Sequence, residues 1–480
     1  MIGLLLVKWR RVQAWWTLGT MLAGLASSLA LLWVVWRSGQ PLVFASGGWP
    51  LTPVPVGIVL VGDLLSAVFV VMTQLVLVTG VVYAMGSKDA VVGYPAFFPL
   101  FLLLGTGLTG AMLTGDLFNL YVFAELLVIS GTVLTAVSDD RFGTEAAYKY
   151  FYISLLAAFF MLLAVGSLYA SYGTLNMATL SDLILATKRP LLYPAIALLM
   201  AFFMVKSAVF PFHFWQPDFH TAAPTPVSAM LSSVVVKLGV YGFLRMTTLL
   251  FIDEAPVLRG FLIAFGIIGV LFGGLSAIGT HNVKRMLAYS TLAQVGFILV
   301  GIGWGTPLAL AAAIVFAFNH SLIKSAMLML AGYVASRASA KSAAFDVVTG
   351  VGRQLPLAGV LFFVGALALA GVPPTNGFVS KMLLFNSGIN AEQFGALLLI
   401  GLASIFTLIY VMRAFQRIWW QQPAEGIYTK PQGDKLVAPL LLMGLIVLFG
   451  IYAAPLVELA GATGDYLLET GAYVAAVLGG

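Results

Sequence analysis

The chain has 480 residues, of which 61% are hydrophobic and only 9% charged, and its formal net charge is +6. With a mean hydropathy of +1.02, it has too few charges to cover a water-soluble surface of this size, so it reads as a polytopic membrane protein. The absence of cysteine excludes disulfides, thiolate-held iron–sulfur clusters and covalently attached haem. No Walker-type GKS or GKT occurs, and the basic residues are spread over loops rather than gathered for nucleic acid.

A membrane-crossing helix needs about 20 apolar residues. Met1–Val7 is too short and is followed by Lys8-Trp9-Arg10-Arg11. The next run is longer than the apolar region of a cleaved signal peptide and reads as a retained helix. In order, the predicted spans are Ala14–Trp36, Gly57–Met85, Val91–Leu113, Leu117–Val137, Tyr148–Tyr172, Leu191–Phe212, Thr221–Leu250, Val257–Gly279, Met286–Trp304, Leu308–Ala335, Leu355–Phe385, Phe394–Trp419 and Leu436–Leu456, thirteen in all. Tyr466–Gly480 is mildly apolar and too short to cross. Loops are short, so residues 1–480 read as one integral membrane domain of all-α class.

Orientation follows from the excess of Lys and Arg on cytoplasmic loops. With the N-terminus in the cytoplasm, 15 cations fall on inside loops and span ends, and 5 fall outside: Arg37, Lys188, Arg189, Arg245 and Arg259. The C-terminus is then outside. The other four cations, Lys206, Lys237, Lys324 and Lys381, lie within predicted spans.

Charges at that depth are costly, roughly 3 kcal/mol for a lysine at a helix centre, and commonly mark function. Glu125 is central in GDLFNLYVFAELLVISG, where it is either a protonated structural group or a functional acid. Asp63 and Asp116 lie nearer span ends and suit an interfacial or capping role. Lys206 precedes Pro211, where a helix should break, and Lys237 follows Pro226. His320 and Lys324 are four apart, on one helix face, as a relay or as a hydrogen-bonded core. Lys381 follows the break in GVPPTNG, as a relay or as a side chain reaching for the interface. Each half thus carries a Pro-interrupted helix with a lysine, a pattern that points to inverted-repeat transporters. His220, in the loop just before Pro224, suits proton entry or a capping or interfacial role. His213 gives a weaker signal, and His281 sits in the HNVKR loop and reads as solvated. The histidines lack zinc-site spacing.

The stretches GDLFNLYVFAELL, VKSAVFPFHFWQPDFHTAAPTPVSAML, VVVKLGVYGFLR, VKRMLAYSTLAQVG, FNHSLIKSAMLMLAGY and AGVPPTNGFVSK together resemble the antiporter-like membrane subunits shared by respiratory complex I and the Mrp-type Na+/H+ antiporters. They run from about Gly115 to Lys381. The GDLFNL…FAE variant looks most like the D-subunit branch of the Mrp type, with complex I chains M and N close behind. The resemblance implies fourteen helices, the first cut here to Met1–Val7. It also implies two inverted five-helix repeats, residues 91–250 and 257–419, each with a Pro-broken helix. Its proton-transfer residues fall on Glu125, Lys206, Lys237, His320, Lys324 and Lys381.

The expected function is a proton-translocating subunit of a multi-subunit Na+/H+ antiporter in the cell membrane. Protons would move along Lys237, His320/Lys324 and Lys381, with Glu125 acting on Lys206. Other membrane subunits, protons, Na+ and the lipid bilayer are the expected partners; no cofactor, metal or nucleic acid is. The rival reading is a proton-pumping subunit of a complex I-type NADH-quinone oxidoreductase or membrane-bound hydrogenase, whose redox chemistry lies in other chains. A stand-alone transporter of an organic solute is a third reading, at odds with the multi-subunit habit of such chains.

Overall fold

Long apolar runs closed by short polar caps make helices along the whole chain. The computed structural model describes residues 2–49, 57–137, 141–340, 342–423 and 425–479. Lys341, counted above among the inside cations, lies outside the described residues, as do Met1 and Gly480.

A single apolar turn, α1 (Ile2–Leu5), precedes α2 (Arg10–Ser38). Strand β1 (Leu42–Ala45) then pairs antiparallel with β2 (Val59–Gly62), with Leu42 opposite Gly62. This hairpin departs from the all-α expectation and shortens the predicted span Gly57–Met85. The helix cannot start before Asp63, whose carboxylate accepts the Ser66 N–H at 2.8 Å as the N-cap of α3 (Leu64–Gly86). Next come α4 (Phe97–Leu113), α5 (Leu117–Ala136) and α6 (Arg141–Tyr172). The short α7 (Met177–Ala186), which the apolar-run criterion does not detect, leads to α8 (Leu192–Lys206) and α9 (Trp215–Ala222). The predicted span Val91–Leu113 loses its first turn to a 3-10 turn at Ala90–Gly93.

Two pieces, α10 (Thr225–Met230) and α11 (Lys237–Arg245), are joined by a π-helical turn at Leu231–Val235. A second π turn, Met246–Leu250, completes the span. The second half holds α12 (Ala255–Gly279), α13 (Val283–Trp304), α14 (Pro307–Arg337), α15 (Phe345–Val348), α16 (Pro356–Ala370), α17 (Asn376–Asn390) and α18 (Phe394–Phe415). The last predicted span is α19 (Val437–Ile451), bent by 76° into α20 (Ala454–Leu468), and α21 (Thr470–Leu478) ends the chain.

Among the described residues nine helices are long and apolar enough to cross a membrane. The other four predicted segments coincide with α4, α8, the α16–α17 pair and α19. The chain is a polytopic helical membrane protein. Its innermost helices are α14 and the α10–α11 span: the most apolar stretch of each is 100% buried, against 17% for α2. A helix apolar on every side sits inside other helices, which carries His320 and Lys324 to the centre.

Both helix breaks are local consequences of sequence. Pro211 has no N–H, and its ring excludes a helical carbonyl four residues back, at Ser207. Accordingly α8 stops at Lys206, earlier than the predicted Phe212, and Ala208 takes a φ of +52°. In the second half, α16 stops at Ala370 because Gly371 has a φ of +80°. The chain re-enters a helix at Asn376. In both halves a glycine lets the next helix press on the broken end. A Cβ on Gly239 would collide with Ser207 Oγ and the Phe203 carbonyl, and one on Gly377 with the Ala368 carbonyl.

One local motif recurs. Asp116 caps α5, accepting the Asn119 N–H, and bridges to Asn176 just before α7; Asn282 caps α13, accepting the Arg285 N–H, and bridges to Ala344 just before α15.

Candidate functional site

The six sequence-selected residues fall into a broken row through the bundle. Glu125 projects from α5 toward the C-terminal end of α8, where Lys206 is the last helical residue. Glu125 Oε1 lies 3.9 Å from Lys206 Nζ. Both atoms are shielded from solvent and neither has a hydrogen-bond partner. The ammonium also lies 5.3 Å from the Phe202 ring centroid. The last carbonyls of a helix favour a cation, which helps hold this charge at the end of α8.

Beyond Lys206, Ser207 Oγ at the end of α8 and Ser233 Oγ in the π turn facing α14 are buried without partners. Lys237 begins α11 immediately after the π turn, a distortion often found at functional sites. It is fully buried, and its Nζ meets His320 Nδ1 at 2.5 Å. A hydrogen bond between two basic nitrogens shares one proton, so this contact links two potential carriers directly.

His320 and Lys324 share a face of α14 but not a partner. Lys324 Nζ donates to the Leu287 carbonyl of α13 at 3.0 Å. Leu287 is one turn beyond Lys284, whose Nζ donates to the Ala223 carbonyl at 3.3 Å. His220, predicted as a loop residue, is instead a buried residue of α9, with Nδ1 at 3.1 Å from Ser228 Oγ and Nε2 unpartnered. The Pro217 ring starts no loop, because proline is tolerated in a first helical turn. Above this group opens a polar bay of about 600 Å³, lined by Lys88, Asp89, Thr225, Asn282, Lys284, Lys430 and Asp434.

Lys381 lies on α17 and folds back across the break. Its Nζ donates to the Ala370 carbonyl, the last of α16, at 2.9 Å and sits 5.2 Å from the Phe297 ring centroid. This break presents its lysine after the gap, whereas Lys206 stands before its own. Between His320 and Lys381 is a cavity of about 10 Å³, also lined by Gln294 and Ser380. That is about the room one water needs. His320 Nε2 and Gln294 Nε2 are both buried without partners, so the cavity has polar groups for a water to bridge.

Sequence reasoning missed four contributors. Gln294 is one. Asn319 and Asn376 are two more: Asn319 Nδ2 donates to the Asn376 carbonyl and to Ser380 Oγ, and Asn376 Nδ2 donates to Asn319 Oδ1 at 3.0 Å. They tie α14 to the start of α17 and so fix Lys381 relative to His320. Amides inside apolar spans, which commonly bond across helices, were the available signal. The fourth is Arg245, expected at the outer boundary. It is buried and bidentate to Asp63, at 2.7 Å for both bonds. The cap Asp63 thus has a second task, since a buried guanidinium requires a carboxylate. Asp116 is a cap as expected, and His281 is exposed.

A family profile described as "NADH:quinone oxidoreductase/Mrp antiporter, TM" matches residues 114–407. The chain is 32% identical over 438 residues to the Na(+)/H(+) antiporter D-subunit of Bacillus subtilis, covering 90% of this chain and 87% of that one. It is 34% identical over 461 residues to the NADH-quinone oxidoreductase N-subunit of Desulforudis audaxviator, covering 91% and 89%. Among solved structures, a chain of the Mrp complex from Dietzia sp. DQ12-45-1b superposes with a TM-score of 0.90 at 25% identity, covering 99% of this chain and 98% of that chain. A chain of the membrane-bound sulfane sulfur reductase, an archaeal respiratory membrane complex, does so with a TM-score of 0.90 at 30% identity, with the same coverage. These neighbours are subunits of multi-subunit membrane complexes. The chain belongs to the NADH:quinone oxidoreductase/Mrp antiporter family of transmembrane proteins.

Proposed function

We propose that this chain is the proton-translocating subunit of a multi-subunit monovalent cation/proton antiporter, with Na+ as the exchanged cation. The single observation that carries the proton path is the Lys237–His320 contact, 2.5 Å long and fully buried, opening on a one-water cavity shared with Lys381. In this reading protons enter through the polar bay beside Lys284 and His220 and reach Lys324 and His320. They are shared across the Lys237–His320 contact, cross the one-water cavity to Lys381 and leave on the far side. Glu125 moves toward or away from Lys206 and so sets how readily the neighbouring lysines hold a proton. At about 4 Å a charge pair is worth about 4 kcal/mol at an effective dielectric constant of 20. That is large enough to change occupancy by orders of magnitude.

Residues 91–250 and 257–419 are read as two inverted repeats, a reading supported by the recurring cap-and-bridge motif and the two broken helices. The excess of inside cations supports a cytoplasmic N-terminus, an outside C-terminus and a place in the cell membrane. The chain itself is assigned no redox step.

The second reading is a pumping subunit of a redox-driven complex, favoured by the relative named as an NADH-quinone oxidoreductase N-subunit. One experiment separates the two. The chain is purified with its native partners, which are identified, and the assembly is reconstituted for vesicle flux. A Na+ gradient that drives proton movement without a reductant supports the antiporter. Flux that appears only on adding NADH or another electron donor overturns it in favour of the second reading.

A further inference from the structure

Beyond the proton row, the structure has a second built feature on its outer surface. A groove of about 350 Å³ runs between α8 and α12, at the lower end of the range for small-molecule sites. Its walls are apolar: Ile196, Met200 and Met204 on α8, and Val257, Leu258 and Phe261 on α12. Val257 and Phe261 are exposed. At one end the groove meets Glu254, the residue before α12.

That end carries an unbalanced charge. Lys188 Nζ lies 2.9 Å from Asp253 Oδ2 and 3.0 Å from Glu254 Oε1, so two carboxylates surround one ammonium. Partial burial pulls the Lys188 ammonium down, but its hydrogen bonds to Asp253 and Glu254 outweigh this and raise it, so it stays charged. Glu254 Oε2 is buried with no hydrogen-bond partner. Arg259, further along α12, turns away from this end: its Nη2 donates to the Thr247 carbonyl and its guanidinium packs on Gly305, with Nε buried and unpartnered. A buried carboxylate oxygen lacking a donor is costly, and here it borders an apolar slot long enough for hydrocarbon.

We propose that the groove binds the acyl chain of an aminophospholipid whose primary ammonium caps Glu254. A primary ammonium brings N–H donors for the orphaned oxygen and cancels the excess negative charge, while the lipid phosphate lies within reach of Lys188. A choline headgroup has the charge but no N–H to give. A glycerol headgroup has donors but leaves the lipid anionic against a net negative site. The bound chain would lie along Met200 and Met204, just before Lys206, and would wedge the broken helix α8 against α12.

The test uses the assembled complex in nanodiscs of equal parts phosphatidylethanolamine and phosphatidylcholine. Lipids retained after detergent extraction are counted by native mass spectrometry. The expected result is a retained ethanolamine-to-choline ratio roughly tenfold above that of the disc, the factor that one charge-assisted hydrogen bond of about 1.4 kcal/mol supplies. Glu254→Gln should return the ratio to that of the disc. Ala201→Phe, which fills the groove wall without touching the charges, should lower retention of both lipids. A wild-type ratio equal to the disc, or an enrichment that survives Glu254→Gln, overturns the proposal. So does retention of neither lipid together with cross-linking of position 201 to another subunit, which would make the groove a protein interface.

Discussion

Glu125 and Lys206 stand 3.9 Å apart, with neither facing atom hydrogen-bonded to anything else. An ion pair that loose in a buried setting is neither a tight structural clasp nor a solvated contact. It is a geometry from which either side chain can approach or withdraw.

Glu125→Gln removes the charge and keeps the shape. Cation-coupled proton flux in reconstituted vesicles should fall at least tenfold, with the variant inserted and assembled normally. Wild-type flux in a well-assembled Glu125→Gln complex would leave Glu125 a structural acid.

Arginine substitutions distinguish relay from structure at the two breaks. Arg keeps the charge but does not release a proton near neutral pH. Lys206→Arg and Lys381→Arg should therefore both block flux, as the alanine variants should. Lys206→Arg should be the more damaging, because Lys206 also faces Glu125. If both arginine variants transport like wild type, with assembly checked separately, the two lysines are only structural charges.

Gln294→Leu tests the one-water cavity between His320 and Lys381. Leucine keeps the bulk but offers no hydrogen bond to a bridging water. Flux should drop roughly tenfold, the cost of about 1.4 kcal/mol on the slow step, while thermal stability stays near wild type. Gln294→Asn, which retains the amide, should recover part of the loss. Equal flux in the leucine and asparagine variants would remove Gln294 from the path.

The Asp63–Arg245 pair gives a stability prediction. Asp63→Asn strands a buried guanidinium and should cost about 3–5 kcal/mol, read as a lowered denaturation midpoint in detergent. The double variant Asp63→Leu/Arg245→Leu should lose less than Asp63→Asn alone, because it leaves no unpaired charge. A double variant as unstable as the single one would mean that Tyr241 and Ser66, which also bond Arg245, depend on it for their own packing.

The sequence by itself determined most of what near neighbours govern, though the short helix α7, the β1–β2 hairpin and the exact helix ends escaped it. Apolar run lengths gave the spans, Asp63 and Asp116 the caps, and Pro211 and the GVPPTNG stretch the breaks, because propensity and capping act within one helical turn. Intramembrane lysines stood out by their cost alone. The partners of those lysines were decided only by the tertiary structure. Lys237 reaches His320 across 83 residues of chain, and Asp63 reaches Arg245 across 182. Lys324 shares a helix face with His320 yet turns to Leu287 on α13. The physical reason lies in α14: a helix buried on all sides has no polar face to show in its periodicity, so nothing local says which neighbour each of its polar groups will meet. That is set by how the surrounding helices pack.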